Sequence, residues 1–168
     1  MPPATIFFRS GHLLVSLVVG DSVVVGPGVA SACQPLEGVP TVRTENPEVA
    51  DVDARFLVRA RKVGRTTLRG TFGPAVGSSP INVQDFLLTP ADATVREGDT
   101  LAVQPFWVRD TGTTAAGSVN LISSDTSVAR VLPAGSAGSV RYIEARKSGA
   151  VDLLIGRYPR AKVRVVPR

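Results

Sequence analysis

Four short blocks occur twice in this chain, in the same order and about half a chain apart. VVGDSVVV (18–25) matches REGDTLAV (96–103), which sets Gly20-Asp21-Ser22 over Gly98-Asp99-Thr100. NPEVADVDA (46–54) resembles DTSVARVLPA (125–134), with Val49-Ala50 over Val128-Ala129. ARKVGRTTLRG (60–70) matches ARKSGAVDLLIG (145–156), with Gly64 over Gly149, and INV (81–83) matches VRV (163–165) as a closing strand. Chance gives one such match readily and four in order hardly at all. The chain is therefore one structural unit written twice. The offset drifts between blocks, so loops differ in length, the largest insertion being LPAGSAGSVRY in the second copy.

The composition says what kind of unit this is. Among 168 residues, 16 glycines and 13 prolines interrupt the chain every few positions, which long helices cannot survive. Valine-rich runs between those breaks suit short strands joined by turns, and 43% hydrophobic residues suffice for a core. In V-G-D-S/T, glycine allows positive φ and the Asp or Ser/Thr side chain bonds nearby backbone, so each copy has a tight turn between two strands. In VVVGPGVA and LAVQPFWV a proline interrupts a strand, which suits an edge or a bulge. NPEVADVD reads as a turn entering a strand with Val49 and Val52 inward. RFLVRARKVG alternates, placing Phe56, Val58 and Ala60 on one face and Arg55, Arg59 and Arg61 on the other. In the next strand Leu68 is the expected core residue, with Thr67 and Arg69 outward.

These motifs resemble the bacterial immunoglobulin-like domain, group 2. SSDTSVARV (123–131) and TENPEVADV (44–52) are similar to its middle segment, and ARKVGRTTL (60–68) and ARKSGAVDLL (145–154) to the segment leading to its last strands. The resemblance covers roughly 12–84 and 86–168. The tryptophan usual in that family before the middle segment is missing, its place falling near Val42 and near Leu121; the one tryptophan, Trp107, lies earlier. The resemblance implies an all-β fold of two tandem immunoglobulin-like β-sandwiches of about seven strands each. The expected organisation is an N-terminal arm or extra strand (1–11), a first domain (12–84) and a second (85–168). INVQDFLLTPADA joins the two without a flexible Gly/Ser stretch, which implies a semi-rigid rod.

Several chemistries find little footing. His12 and Cys33 are the only histidine and cysteine, so no intrachain disulfide forms, and a zinc site would need carboxylates. A triad would have to use His12, beside no nucleophile motif. Asp51 and Asp53 would share a strand face, but neither they nor Asp99 and Asp110 sit in a ligand-rich loop. No cofactor, metal or catalytic residue is expected. The run HLLVSLVVGDSVVVGPGVASAC, preceded by Arg9, ends like a signal cleavage site or a degraded lipoprotein box. Against that reading, Asp21 and Ser22 interrupt it, and Leu13–Val19 is too short to cross a bilayer. The repeat uses these residues as strands, whereas a mature chain beginning near Gln34 would mean a cleaved signal. No membrane span is expected.

Fold alone does not give function. The expectation is a non-enzymatic structural or assembly protein: a rigid tandem module of a virion, as decoration or tail accessory, or of an extracellular surface filament. A chain with Met1, no convincing signal, no anchor and no further domain points that way. Ile6, Phe7 and Phe8 are the candidate segment for docking on a neighbouring subunit by strand addition, the alternative being a first strand packed on its own domain. Protein partners, as a homo-oligomer or on a larger assembly, follow. The second class is an adhesin-like module for carbohydrate or another cell-surface ligand, using Trp107, Arg109 and Asp110 and the glycine-rich 133–140; the alternative for Trp107 is sheet packing. The third rests on charge. The net +5 includes five basic residues and no acid in 157–168, with Lys162 and Arg164 on one face of the final strand. With Arg59, Arg61 and Arg69 these form a candidate polyanion surface, the alternative being solvated sheet faces. Nucleic acid is the less expected partner, and a surface glycan the more expected.

Overall fold

The computed structural model describes residues 5–9, 16–30, 38–117, 119–133 and 139–168. Met1, His12 and Cys33 lie outside them. The described residues form strands and turns without a helix, and the chain divides into two compact units, Met1–Asp85 and Phe86–Arg168.

The first unit contains β1 (Thr5–Arg9), β2 (Ser16–Val18), β3 (Ser22–Val24), β4 (Gly26–Ala30), β5 (Thr41–Thr44), β6 (Ala50–Val52), β7 (Leu57–Ala60), β8 (Gly64–Phe72) and most of β9 (Ala75–Thr89). One sheet runs β2-β9-β8-β5, and the other β3-β7-β6. The second unit repeats this with β10 (Asp92–Arg96), β11 (Thr100–Arg109), β12 (Gly112–Ala115), β13 (Leu121–Ser123), β14 (Ala129–Val131), β15 (Arg141–Ala145), β16 (Gly149–Ile155) and β17 (Tyr158–Val166). Its sheets run β10-β17-β16-β13 and β11-β15-β14, and β11 also pairs with β12. In both units the short opening strand lies parallel to the closing one, Leu17 facing Val83 and Val95 facing Val165; every other pair with a register is antiparallel. Two packed sheets with this strand order form an immunoglobulin-like sandwich.

The repeated blocks turn out to be repeated hydrogen bonds. Asp21 and Asp99 donate their backbone N–H to Val18 and Arg96, and their own carbonyls accept from Ala60 and Ala145. The V-G-D turn is therefore a corner where the chain leaves one sheet for the other, since β2 and β3 lie in different sheets. Asn46 and Asp125 accept from the N–H two residues on, at 3.1 Å from Glu48 and 2.8 Å from Ser127, the Asx turns that open β6 and β14. The carbonyls of Val49 and Val128 each accept two N–H bonds, from Arg61 and Lys62 and from Arg146 and Lys147.

The glycine of the third block is there because the valine of the second packs on it. A Cβ at Gly64 would stand 2.9 Å from Val49 Cγ2, and one at Gly149 would stand 3.0 Å from Val128 Cγ2. Both glycines also have positive φ, 153° and 157°. Motif spacing and packing are here one fact.

Each unit has its own interior. Val25, Val49, Ala50, Val58, Ala60, Leu68, Ile81 and Val83 fill the first. The second gathers Leu88, Val103, Ile143, Val151, Leu153, Val163 and Val165, among others. Leu68 is fully buried, as its strand pattern predicts, and Val42 and Leu121 occupy core-facing places where the resembled family carries its tryptophan. Phe56 departs from expectation. Strand β7 begins only at Leu57, and Phe56 sits in the preceding turn at φ 61°, although its side chain still packs on the core. Asp53 holds that turn, accepting from the N–H groups of Arg55 and Leu57.

Candidate functional site

The arginine ladder is exposed, and acids on its own surface neutralise it. Arg61 forks onto Asp51 with Nε and Nη2 at 2.8 and 2.9 Å. Arg59 donates to Asp53 at 2.9 Å, and Arg69 to Glu45. The Arg61 hydrogen bond holds the Asp51 carboxyl below its ordinary range, and Asp51 in turn raises Arg61. Asp53 is lowered first by the Leu57 N–H, then by that of Arg55 and by Arg59; Glu45 is lowered by hydrogen bonds from Thr67 and Arg69. Asp51 and Asp53, which share a face, are thus tied to arginines and a turn. Among the described residues no group of three or more metal-ligating side chains gathers.

Register also breaks up the C-terminal run. Lys162 and Arg164 lie exposed on β17, alternating with buried Ala161, Val163 and Val165. Lys162 faces Asp152 on one neighbouring strand and Asp92 on the other, whereas Arg164 faces Ala150 and Thr94. The five-cation segment of the sequence becomes, in three dimensions, one cation bracketed by two acids and one between small neighbours. At the hairpin tip, the Arg157 and Arg160 guanidinium carbons lie 5.0 and 5.3 Å from the Tyr158 ring centre.

Trp107 is half-buried. Its ring stacks on Phe86, centroids 3.9 Å apart, and Arg109 stands over it at 5.6 Å. Ile6 is only 4% exposed. Strand β1 pairs with β4 along its whole length, and Ile6 and Phe8 rest on Gly70 and Gly77, which face each other across β8 and β9. A Cβ at Gly77 would run into the Ile6 carbonyl, and one at Gly70 would come within 2.9 Å of Phe8. Ile6 and Phe8 thus take part in the first unit's own packing, the alternative reading of that segment. The Phe7 side chain and residues 134–138 of the glycine-rich insertion lie outside what the structure describes.

One residue escaped the sequence reading. Arg141 is 7% exposed, in phase with buried Ile143 and Ala145 on β15. With Arg130, Asn120, Val119, Leu121, Val131, Leu132 and Pro133 it lines an open hollow of about 320 Å³. The signal was present in RYIEA, where an arginine occupies the inward phase of an alternating strand.

No family model matches the chain, and no curated protein matches it. Solved structures do. Domains 1–6 of the surface layer protein SbsC match at 16% identity with a TM-score of 0.40, over 97% of this chain and 28% of that one. The I9–I11 tandem from titin matches at 11% identity and 0.39, over 98% of this chain and 66% of that one. Tandem Ig repeats of Dlar match at 11% and 0.32, over 99% of each. This chain thus spans just over a quarter of the SbsC structure.

Proposed function

We propose that this chain is a non-enzymatic structural module, two immunoglobulin-like sandwiches in tandem, that serves as a spacer in an extracellular or cell-surface assembly. The observation that carries the reading is the repetition itself. One unit recurs with the same corners, Asx turns and valine–glycine contact, while Arg59 and Arg61 are paired with Asp53 and Asp51 within a unit. Repetition of a self-contained unit adds no chemistry of its own. The group 2 bacterial family is the proposed kinship. A virion accessory is the second setting in which the same module would work. Protein neighbours, further copies included, are the proposed partners.

Localisation tests this reading. Antibody raised against the purified chain should label intact cells or particles, and external protease should remove the label. A signal confined to the cytosolic fraction would overturn it.

A further inference from the structure

We propose that the outer face of sheet β2-β9-β8-β5, in the first unit, binds an anionic polysaccharide along β8. This site goes beyond the spacer role proposed above and does not depend on it. Its centre is a pair of like charges. Arg43 on β5 and Arg69 on β8 are direct cross-strand partners, and both are exposed. Like charges opposite each other on a sheet repel and destabilise the pair. The second unit shows that the fold does not ask for them. The alignment that sets Gly64 over Gly149 sets Arg69 over Leu154, and Val42 over Leu121 sets Arg43 over Ile122. Ile122 and Leu154 are themselves direct cross-strand partners, so the same place in the other copy holds an uncharged pair.

Glu45 offsets part of the charge. Its carboxylate accepts from Thr67 and from Arg69, while Arg43 acts on it through space. Two guanidinium groups thus share one carboxylate that is already engaged. Four residues along β8 from Arg69, about 13 Å away, Arg65 lines an open hollow of about 460 Å³ with Glu45, Thr67, Pro80 and Asn82. The cations are therefore strung along a strand, and Ser78 and Asn82 stand opposite Arg69 and Arg65 on β9. That arrangement suits a long polyol carrying anionic groups. Guanidinium forks read sulfate, phosphate or carboxylate, and the hydroxyls and amide exchange hydrogen bonds with ring hydroxyls. Segments 41–45, 64–71 and 76–85 contain no aromatic residue. A single-stranded nucleic acid would stack on such rings, and a protein partner would anchor on them.

The test is a titration of the full chain with a short dextran sulfate, followed by amide NMR shifts. Neutral dextran and a dT oligonucleotide of equal charge serve as comparisons. Dextran sulfate should move the Arg43, Arg65, Thr67 and Arg69 amides saturably, neutral dextran should not, and the oligonucleotide should bind more weakly. Arg43→Gln should weaken binding at least about tenfold, the loss of a charge-assisted hydrogen bond. Arg43→Ile with Arg69→Leu, which copies the second unit's pair, should abolish the saturable shifts in a folded chain. Arg96→Gln removes an equally exposed charge from the second unit and should change affinity less than about twofold. Unchanged affinity in Arg43→Gln, an equal loss in Arg96→Gln, or an oligonucleotide bound as tightly as dextran sulfate would overturn the proposal.

Discussion

Gly149→Ala probes the contact that defines the repeat. The added Cβ would lie 3.0 Å from Val128 Cγ2 and 3.2 Å from Cγ1, and the alanine would have to hold φ 157°. Val128 cannot swing aside cheaply, because it is β-branched, only 9% exposed, and its carbonyl is fixed by two hydrogen bonds. Overpacking of this kind costs about 1–3 kcal/mol, and a strained backbone about 1–2 more. The expected loss is therefore about 2–5 kcal/mol. Trp107, the one tryptophan, stacks on Phe86 within the second unit and reports on that unit alone. With a urea slope of about 1–1.5 kcal/mol/M for a small domain, the fluorescence midpoint should fall by about 1.3–5 M. Val128→Ala on its own loses buried methyls, but in the Gly149→Ala background it removes the clash. The double variant should therefore be less destabilised than the sum of the singles by about 1 kcal/mol or more. A drop below about 0.5 kcal/mol for Gly149→Ala, or strict additivity, would refute the reasoning.

Four further outcomes follow from the same structure. Gly77→Val should push Ile6 off its glycine floor and raise amide exchange in β1 and β4 by mass spectrometry, leaving β16 and β17 unchanged. Asp53 and Asp125 have carboxyls lowered by hydrogen bonds, Asp53 from the Leu57 N–H and Asp125 from the Ser127 hydroxyl. A depressed folded-state pKa contributes stability above the unfolded value of about 4, lost as pH falls through the folded value. The melting temperature should thus decline below about pH 4, and Asp53→Asn with Asp125→Asn should flatten that decline. Arg61→Gln together with Asp51→Asn should leave retention on an anionic resin nearly unchanged, because the two charges already neutralise each other, whereas Arg164→Gln should reduce it. Trp107→Ala should remove the ring stacked on Phe86 and lower the stability of the second unit, so a folded variant of unchanged stability would sink the packing role given to that ring.

The fold was legible because its signals are local and occur twice. Gly-Asp corners, Asx turns and Val-Ala strands have hydrogen bonds between near neighbours, and the repeat confirmed each against its copy. What lay hidden depended on how strands pair side by side. The acids opposite Arg59, Arg61 and Lys162 come from other strands, so a charge run in sequence gave no hint of its neutralisation. Ile6 read as a sticky segment because its floor, Gly70 and Gly77, lies more than sixty residues away and shows in sequence only as missing side chains. Phe56 broke its alternation because Asp53 draws the chain into a turn first. Arg141 was passed over because a basic residue on a strand is read as solvent-facing unless its phase is compared with that of Ile143.

Hydrogen exchange on a core variant tests the account most directly. Leu153 is fully buried in the second interior and Leu68 in the first. Leu153→Ala should cost about 2–5 kcal/mol. Faster exchange should stay within 86–168, with protection around Leu68 intact. Loss of protection spreading through both halves together would mean one shared interior, and two separately cored copies of a single sandwich would be the wrong description.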